Sequence, residues 1–252
     1  MRRRKCLTWL MAIWTLAYGP LTARSEPSRR AEEEPDAIVV VIGGVGGLDI
    51  LSWSVEQVLS KASLKYQMRE YVWTHGWGQI LRDLQDQRHM EAKARDLALL
   101  VRQLQARYPG KPIYFLAKSG GTGLALRAAE LLPESTLERI VLLSAAVSPQ
   151  YDLSGALRAT RREIVSFHSS YDQFILNWGT SQFGTMDRVY GPSAGLHGFR
   201  LPGDADASTR DLYRRLVQVP WRPRMLAEWH TGGHAGNGFP AFLQAEVLPW
   251  LR

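Results

Sequence analysis

The sequence is poor in the features that would hold a small exported protein together or tie it to a polyanion. It has one cysteine in 252 residues, Cys6. One thiol cannot form an internal disulfide. Cys6 also lies within an N-terminal segment expected to be removed, so the remaining chain has no thiol nucleophile and must be held by its apolar core. Long apolar runs are absent too. The longest near the N-terminus, residues 6–18, is about 13 residues, against the roughly 20 needed to cross a bilayer. Charge of one sign is scarce beyond the first 24 residues. The chain carries 31 basic and 24 acidic residues, a net +7. Arg2, Arg3, Arg4, Lys5 and Arg24 account for five of those charges, and no acid accompanies them. What remains is close to neutral, so a nucleic-acid partner is not implied. There is no internal repeat and no heptad pattern.

What is present at the N-terminus has an order: a basic cluster, an apolar run, then Gly19, Pro20 and small residues. That is the order of a secretory signal peptide, here residues 1–24, with an uncleaved membrane anchor as the alternative. Export machinery is the partner this implies, and a secreted or periplasmic location follows. Residues 25–36 are polar and charged and read as a linker. Residues 37–252 form the remaining domain. With 45% hydrophobic and 22% charged residues overall, the composition is that of a globular protein.

In residues 37–252, strand-like and helix-like segments alternate. Residues 37–42, AIVVVI, form a continuous apolar run, as a strand buried on both faces requires. The glycine-rich GGVGG at 43–47 breaks it, and Asp49 stands where a helix cap would. Strands are expected at 66–73, 112–117, 139–144, 163–168 and 224–228. Helices are expected at 90–107, 122–132 and 239–251, with one short helix near 211–217 inside a Gly-, Pro- and aromatic-rich stretch, 173–223. Such alternation predicts an α/β fold: a mostly parallel central sheet of about six strands with helices on both faces. Sites in these sheets gather beyond the C-terminal strand ends. Here those ends carry GGVGG, HGWG, KSGG, HSSYD and WHTGGH.

Within FLAKSGGTG, residues 115–123, Ser119 sits between a strand-like run and a helix-like one. A serine hydroxyl needs a base to take its proton and donors to hold the charge that develops on substrate. A sharp strand–turn–helix bend exposes the hydroxyl and demands small residues two places before and after it, here Ala117 and Gly121. The plainer alternative is that Ser119 only caps the helix.

These residues, YFLAKSGGTGLALRAAE, resemble the nucleophile elbow of the α/β-hydrolase family, with Ala117 where the family pattern has glycine. The resemblance covers most of the chain from Ala37 onward. It implies Ser119 as nucleophile. It also implies an oxyanion hole from the backbone N–H of Val45, or Gly44, in the loop after the first strand, together with that of Gly120. A dinucleotide loop in GGVGG fails on spacing, since the third glycine position counted from Gly44 is Asp49. The family order Ser, acid, His points to a histidine after the last strand. His234, between two glycine pairs, is favoured over His230, which is expected to point into packing. For the acid, Asp172 is favoured, with Asp152 and Asp187 as alternatives. His75 and Trp77 are candidates for substrate binding with Gly44, and Trp73 and Trp178 for walls of an apolar acyl site. No metal or organic cofactor is called for.

The resemblance thus implies a serine hydrolase acting on a small-molecule or lipid ester. A non-catalytic binding protein on the same fold, and an acyltransferase, are the alternatives. There is no room before Ala37 for the family's usual opening pair of strands. The segment 144–163 is too short for a large cap, so a reduced member is expected, with 173–223 as the candidate lid or substrate wall.

Overall fold

The computed structural model describes residues 34–47, 50–173 and 180–252. The expected signal peptide, most of the linker, Cys6, Asp49 and Trp178 lie outside these residues.

The frame is one six-stranded sheet in the order β2-β1-β3-β4-β5-β6. Its strands are β1 (Ala37–Ile42), β2 (Tyr66–Glu70), β3 (Ile113–Lys118), β4 (Arg139–Leu143), β5 (Ile164–His168) and β6 (Leu216–Pro220). Every pairing is parallel. Parallel neighbours need long crossovers, and the chain supplies α1 (Leu51–Lys61), α2 (Ile80–Gln85), α3 (Gln87–Arg107), α4 (Gly120–Glu130) and α5 (Ser154–Ala159) between them.

Side chains along a strand alternate between the two faces, and here both faces are dry. In β1, Ile38, Val40 and Ile42 join one apolar cluster, with α3, α4 and α5 residues such as Leu97, Leu124 and Leu157. Ala37, Val39 and Val41 join a second, against Leu51, Val55 and Val58 of α1 and Phe242, Leu243 and Val247 near the C-terminus. This two-sided burial is why β1 is apolar at every position. Helix α3 buries a matching stripe, Met90, Ala94, Leu97, Ala98, Val101 and Leu104, at helical spacing. It starts on a side-chain cap, the Asp86 carboxylate accepting the His89 N–H at 3.0 Å.

Several expectations shift. Strand β2 ends at Glu70 rather than 73; it is the edge strand, none of its residues is fully buried, and the Tyr71 N–H makes a last bond to β1, donating to the Val41 carbonyl at 2.8 Å. The expected strand at 224–228 is a 3₁₀ turn, Pro223–Glu228. Pro223 fixes φ at a value suited to a first helical turn and donates no ladder hydrogen bond. The sixth strand is instead β6, inside the stretch read as loops. Among the described residues the same stretch contributes three short helices, α6 (Thr180–Phe183), α7 (Ala194–His197) and α8 (Ala207–Tyr213). The closing helix is irregular, running as α9 (Pro240–Phe242), a π segment (Leu243–Val247) and a 3₁₀ turn (Leu248–Leu251). Pro249, late in this run, lacks the N–H a regular helix would use.

The strand order reverses at the β1/β3 pair, because β1 leads to β2 on one side and the chain then returns to place β3 on the other. The crevice at such a reversal, outside the carboxyl ends, is where α/β sheets bind ligands. Here residues 43–47 leave β1 and Ser119 leaves β3 at that point.

Candidate functional site

Ser119 follows β3 directly, at φ 52° and ψ −128°. A residue with a Cβ is rarely found at positive φ, and such strain persists where the surroundings enforce it. The enforcement is visible in the hydrogen bonds. The Ser119 N–H donates to the Leu143 carbonyl at 2.9 Å, holding the bend to the end of β4. Its own carbonyl accepts from the Thr122 N–H at 3.0 Å and from Thr122 Oγ1 at 2.6 Å. Helix α4 then starts at Gly120. A Cβ on Gly121 would lie 2.3 Å from the Gly43 carbonyl oxygen and 2.6 Å from that of Ile42. The chain passes so close to β1 that only glycine fits there.

The Ser119 side chain makes no helix-capping hydrogen bond. Its Oγ lies 2.9 Å from Nε2 of His234, and Nδ1 of the same ring lies 2.7 Å from Asp172 Oδ2. An ionised carboxylate only accepts, so Nδ1 carries the proton in this contact and Nε2 is left as the acceptor for the serine hydroxyl. Asp172 is buried, whereas the His234 side chain keeps 21% of its surface in solvent. The three side chains come from the ends of β3 and β5 and from the loop after residues 223–228.

The alternatives for these positions are occupied elsewhere. Asp152 accepts from the Ser154 N–H at 2.9 Å, in a local turn. Asp187 accepts from Ser148 N–H, Ser148 Oγ and Thr185 Oγ1 at 2.6–2.8 Å. His230 is packed against Phe242, ring centroids 4.8 Å apart, and its Nδ1 accepts the Gly232 N–H at 3.2 Å. That bond requires a neutral ring at Nδ1, and burial pushes the His230 pKa down to about 4, with Asp172 pulling weakly the other way.

Val45 and Gly120 are neighbours: a Cβ on Gly120 would lie 2.6 Å from Val45 Cγ1, 3.4 Å from Trp73 and 3.6 Å from the Met186 sulfur. Gly120 opens α4, where the first N–H groups have no acceptor within the helix. Gly44 lies in the same β1 loop. His75 is tied into its own turn, with Nδ1 2.8 Å from Asp83 Oδ1 and Nε2 3.3 Å from Asp86 Oδ2. The His89 N–H holds the half-buried Asp86 below the ordinary carboxylate range. Trp77 projects into solvent, 82% exposed. Trp73 is buried, its indole N–H donating to the Gly43 carbonyl at 2.9 Å.

Two residues with no sequence signal attach to the acid. Ser144 Oγ lies 3.3 Å from Asp172 Oδ2, and buried Asn237 donates to Ser144 Oγ at 2.7 Å. Among the described residues, no group of three or more His, Cys, Asp or Glu side chains is arranged to hold a metal ion.

Residues 33–182 match the family model described as serine aminopeptidase, S33, a family of α/β-hydrolases. The chain belongs to the α/β-hydrolase family. Solved structures of several α/β-hydrolases are similar. Esterase PE8 is 17% identical with a TM-score of 0.47, the match covering 75% of this chain and 84% of that one. RedJ, a thioesterase from the prodiginine biosynthetic pathway in Streptomyces coelicolor, is 14% identical with a TM-score of 0.38, covering 95% and 97%. A Trichoderma reesei cutinase is 16% identical with a TM-score of 0.38, covering 50% of this chain and 59% of the cutinase. No curated protein gives a significant match.

Proposed function

We propose that this α/β-hydrolase is an exported serine hydrolase that cleaves a carboxylic ester or related acyl substrate through an acyl-enzyme on Ser119. The observation that carries the reading is the unbroken contact from Ser119 Oγ to His234 Nε2 at 2.9 Å and from His234 Nδ1 to Asp172 at 2.7 Å. In this reading His234 takes the hydroxyl proton as Oγ attacks the substrate carbonyl carbon. The carbonyl oxygen becomes an oxyanion and accepts from the N–H groups of Val45 and Gly120. The oxyanion collapses, the ester C–O bond breaks, and the alcohol leaves with the proton held by His234. Water then attacks the acyl carbon, giving its proton to His234, and the acid departs as Ser119 regains its hydrogen. Asp172 keeps the ring in the required tautomer and stabilises the imidazolium between these steps.

Export rests on the basic–apolar–small order of residues 1–24. Among the described residues no helix is long and apolar enough to cross a membrane.

A fluorophosphonate probe tests both parts. In extracellular or periplasmic fractions it is expected to label a band whose mass corresponds to a chain starting near Ser25. Ser119→Ala is expected to abolish labelling and to lower ester hydrolysis by about a millionfold, the scale seen when a triad serine is removed. Labelling that persists in the alanine variant removes Ser119 from the chemistry. A labelled band only in the cytoplasm removes export.

A further inference from the structure

The loop that leaves β1 has to hold Val45 still, yet residues 43–47 lie beyond the sheet ladder and are rich in glycine. One stretch of chain, residues 73–83, after the edge strand β2, restrains them at three points. Trp73 Nε1 donates to the Gly43 carbonyl at 2.9 Å, fixing one end of the loop. At the other end the Gly46 carbonyl accepts from the Gly78 N–H at 2.9 Å. The Gly46 N–H donates to Asp83 Oδ2 at 2.7 Å. Gly46 is at φ 76°, and a Cβ there would lie 2.6 Å from Ile80 Cγ1, so α2 is pressed directly against the loop.

Asp83 is the centre of this brace. Its side chain is fully buried. Its second oxygen, Oδ1, accepts from the His75 N–H at 2.7 Å and faces His75 Nδ1 at 2.8 Å. An ionised carboxylate is tolerated inside a protein only when its lone pairs are met, and three donors meet them here. Two come from the turn that carries His75. The third is the N–H immediately after Val45. That bond fixes the Val45–Gly46 peptide plane. The Trp73 bond fixes the Gly43–Gly44 plane through its carbonyl. The Val45 N–H, on the Gly44–Val45 peptide, is suspended between two anchored planes.

We propose that Asp83, supported by His75, is a positioning residue: its buried carboxylate keeps the Val45 N–H aimed at the oxyanion in the transition state. It touches neither substrate nor Ser119. The inference rests on the serine-hydrolase reading, and its effect belongs to the step in which charge develops, not to substrate binding.

The test is Asp83→Asn, which keeps size and shape. Its NH₂ group would face the N–H of Gly46 or of His75 where a carboxylate oxygen accepts, so one end of the brace opens. Steady-state hydrolysis of a soluble ester and affinity for a trifluoromethyl ketone, whose adduct with Ser119 places an oxyanion in the hole, are measured in parallel. The expected result is a fall in kcat of about 100-fold, the low end of the loss when one oxyanion donor is removed. KM stays within about twofold, and ketone affinity falls by a similar factor to kcat. A folded Asp83→Asn protein with wild-type kcat and ketone affinity overturns the proposal, as does an effect confined to KM. If Asp83→Asn fails to fold, His75→Gln decides: it leaves the Gly46 bond but alters the support at Oδ1. A several-fold loss in kcat and ketone affinity is then expected, and no loss overturns the proposal. Wild-type protein that neither hydrolyses esters nor takes the phosphonate label at Ser119 overturns the serine-hydrolase reading, and this inference with it. An active wild type beside an unaffected Asp83→Asn overturns this inference alone.

Discussion

Two histidines four residues apart, His230 and His234, meet opposite fates because of what surrounds each ring. His234 stands between a buried carboxylate and a hydroxyl, with part of its surface in solvent. His230 is enclosed by Phe242 and Trp221 and accepts a backbone N–H. The enclosure disfavours its charged form, so its pKa falls from 6.5 to about 4. The unfolded chain therefore binds a proton here at a higher pH than the folded protein does. Stability from this group is fully present above pH 6.5 and is lost as pH falls toward about 4. Thermal unfolding from pH 8 to 4 is expected to show a falling midpoint below pH 6.5. In His230→Phe that slope should be shallower; an identical slope would assign the acid sensitivity to other groups. The sequence favours His234 for its flanking glycines and sets His230 aside as the continuation of a strand at 224–228, a segment that is a 3₁₀ turn in the structure. It gave no sign of Asp83, Ser144 or Asn237. The partners that tie them to the site lie 37, 28 and 93 residues away, and nothing local distinguishes these three from any other polar residue.

The strand–turn–helix unit of β3, Ser119 and α4 is a single mechanical part. The bend is held by the Leu143 carbonyl on one side and by Thr122 within α4 on the other, and Gly121 allows α4 to pass against β1. Gly121→Ala places a methyl group against two backbone oxygens that cannot swing away. It is expected to cost at least about 1–3 kcal/mol, the usual range for overpacking a tight site. A denaturant titration would measure this, and activity should fall with it because the bend must open. Wild-type stability in this variant would mean the approach of the two backbones can relax. The unit was legible because small residues, a strand run and a helix run stand in fixed order over nine residues. Strands β1, β3, β4 and β5 were legible for a related reason: burial on both faces demands mainly apolar runs, interrupted inside β5 by the buried Ser166. Edge strands escape that demand. β6 is only half buried, so its short pattern gives no strand signal, and its first two residues fall within the short helix expected near 211–217. Residues 224–228 look like a strand by composition, but Pro223 starts a helical turn there.

Across the whole sheet, fastening and chemistry sit at opposite ends of the strands. Arg139 begins β4, with Nε 2.6 Å from Glu163 Oε2 and Nη1 donating to the carbonyls of Trp250 and Arg252 at 3.2 and 2.8 Å. It joins the start of two strands to the end of the chain, and its guanidinium lies over the Trp250 ring at 5.9 Å. Ser144 is at the other end of β4, Asp172 lies beyond the other end of β5, and Ser119 follows the neighbouring β3. Arg139→Met should lose about 2–3 kcal/mol, as expected when hydrogen bonds to a charged group are removed from a nearly buried site. Its kcat on a soluble ester should stay at the wild-type value at 25 °C. A matching loss of activity below the unfolding transition would show the two ends to be coupled.

The serine, the carboxylate and the imidazole come from three separate crossings of the sheet, with His234 lying 115 residues after Ser119. All six strands lie before the imidazole in the chain, the last of them ending at Pro220. The stretch that builds the sheet and the stretch that would arm the serine are thus separate, and on the proposed reading a substitution confined to the loop that carries His234 can silence the site while every strand stays paired.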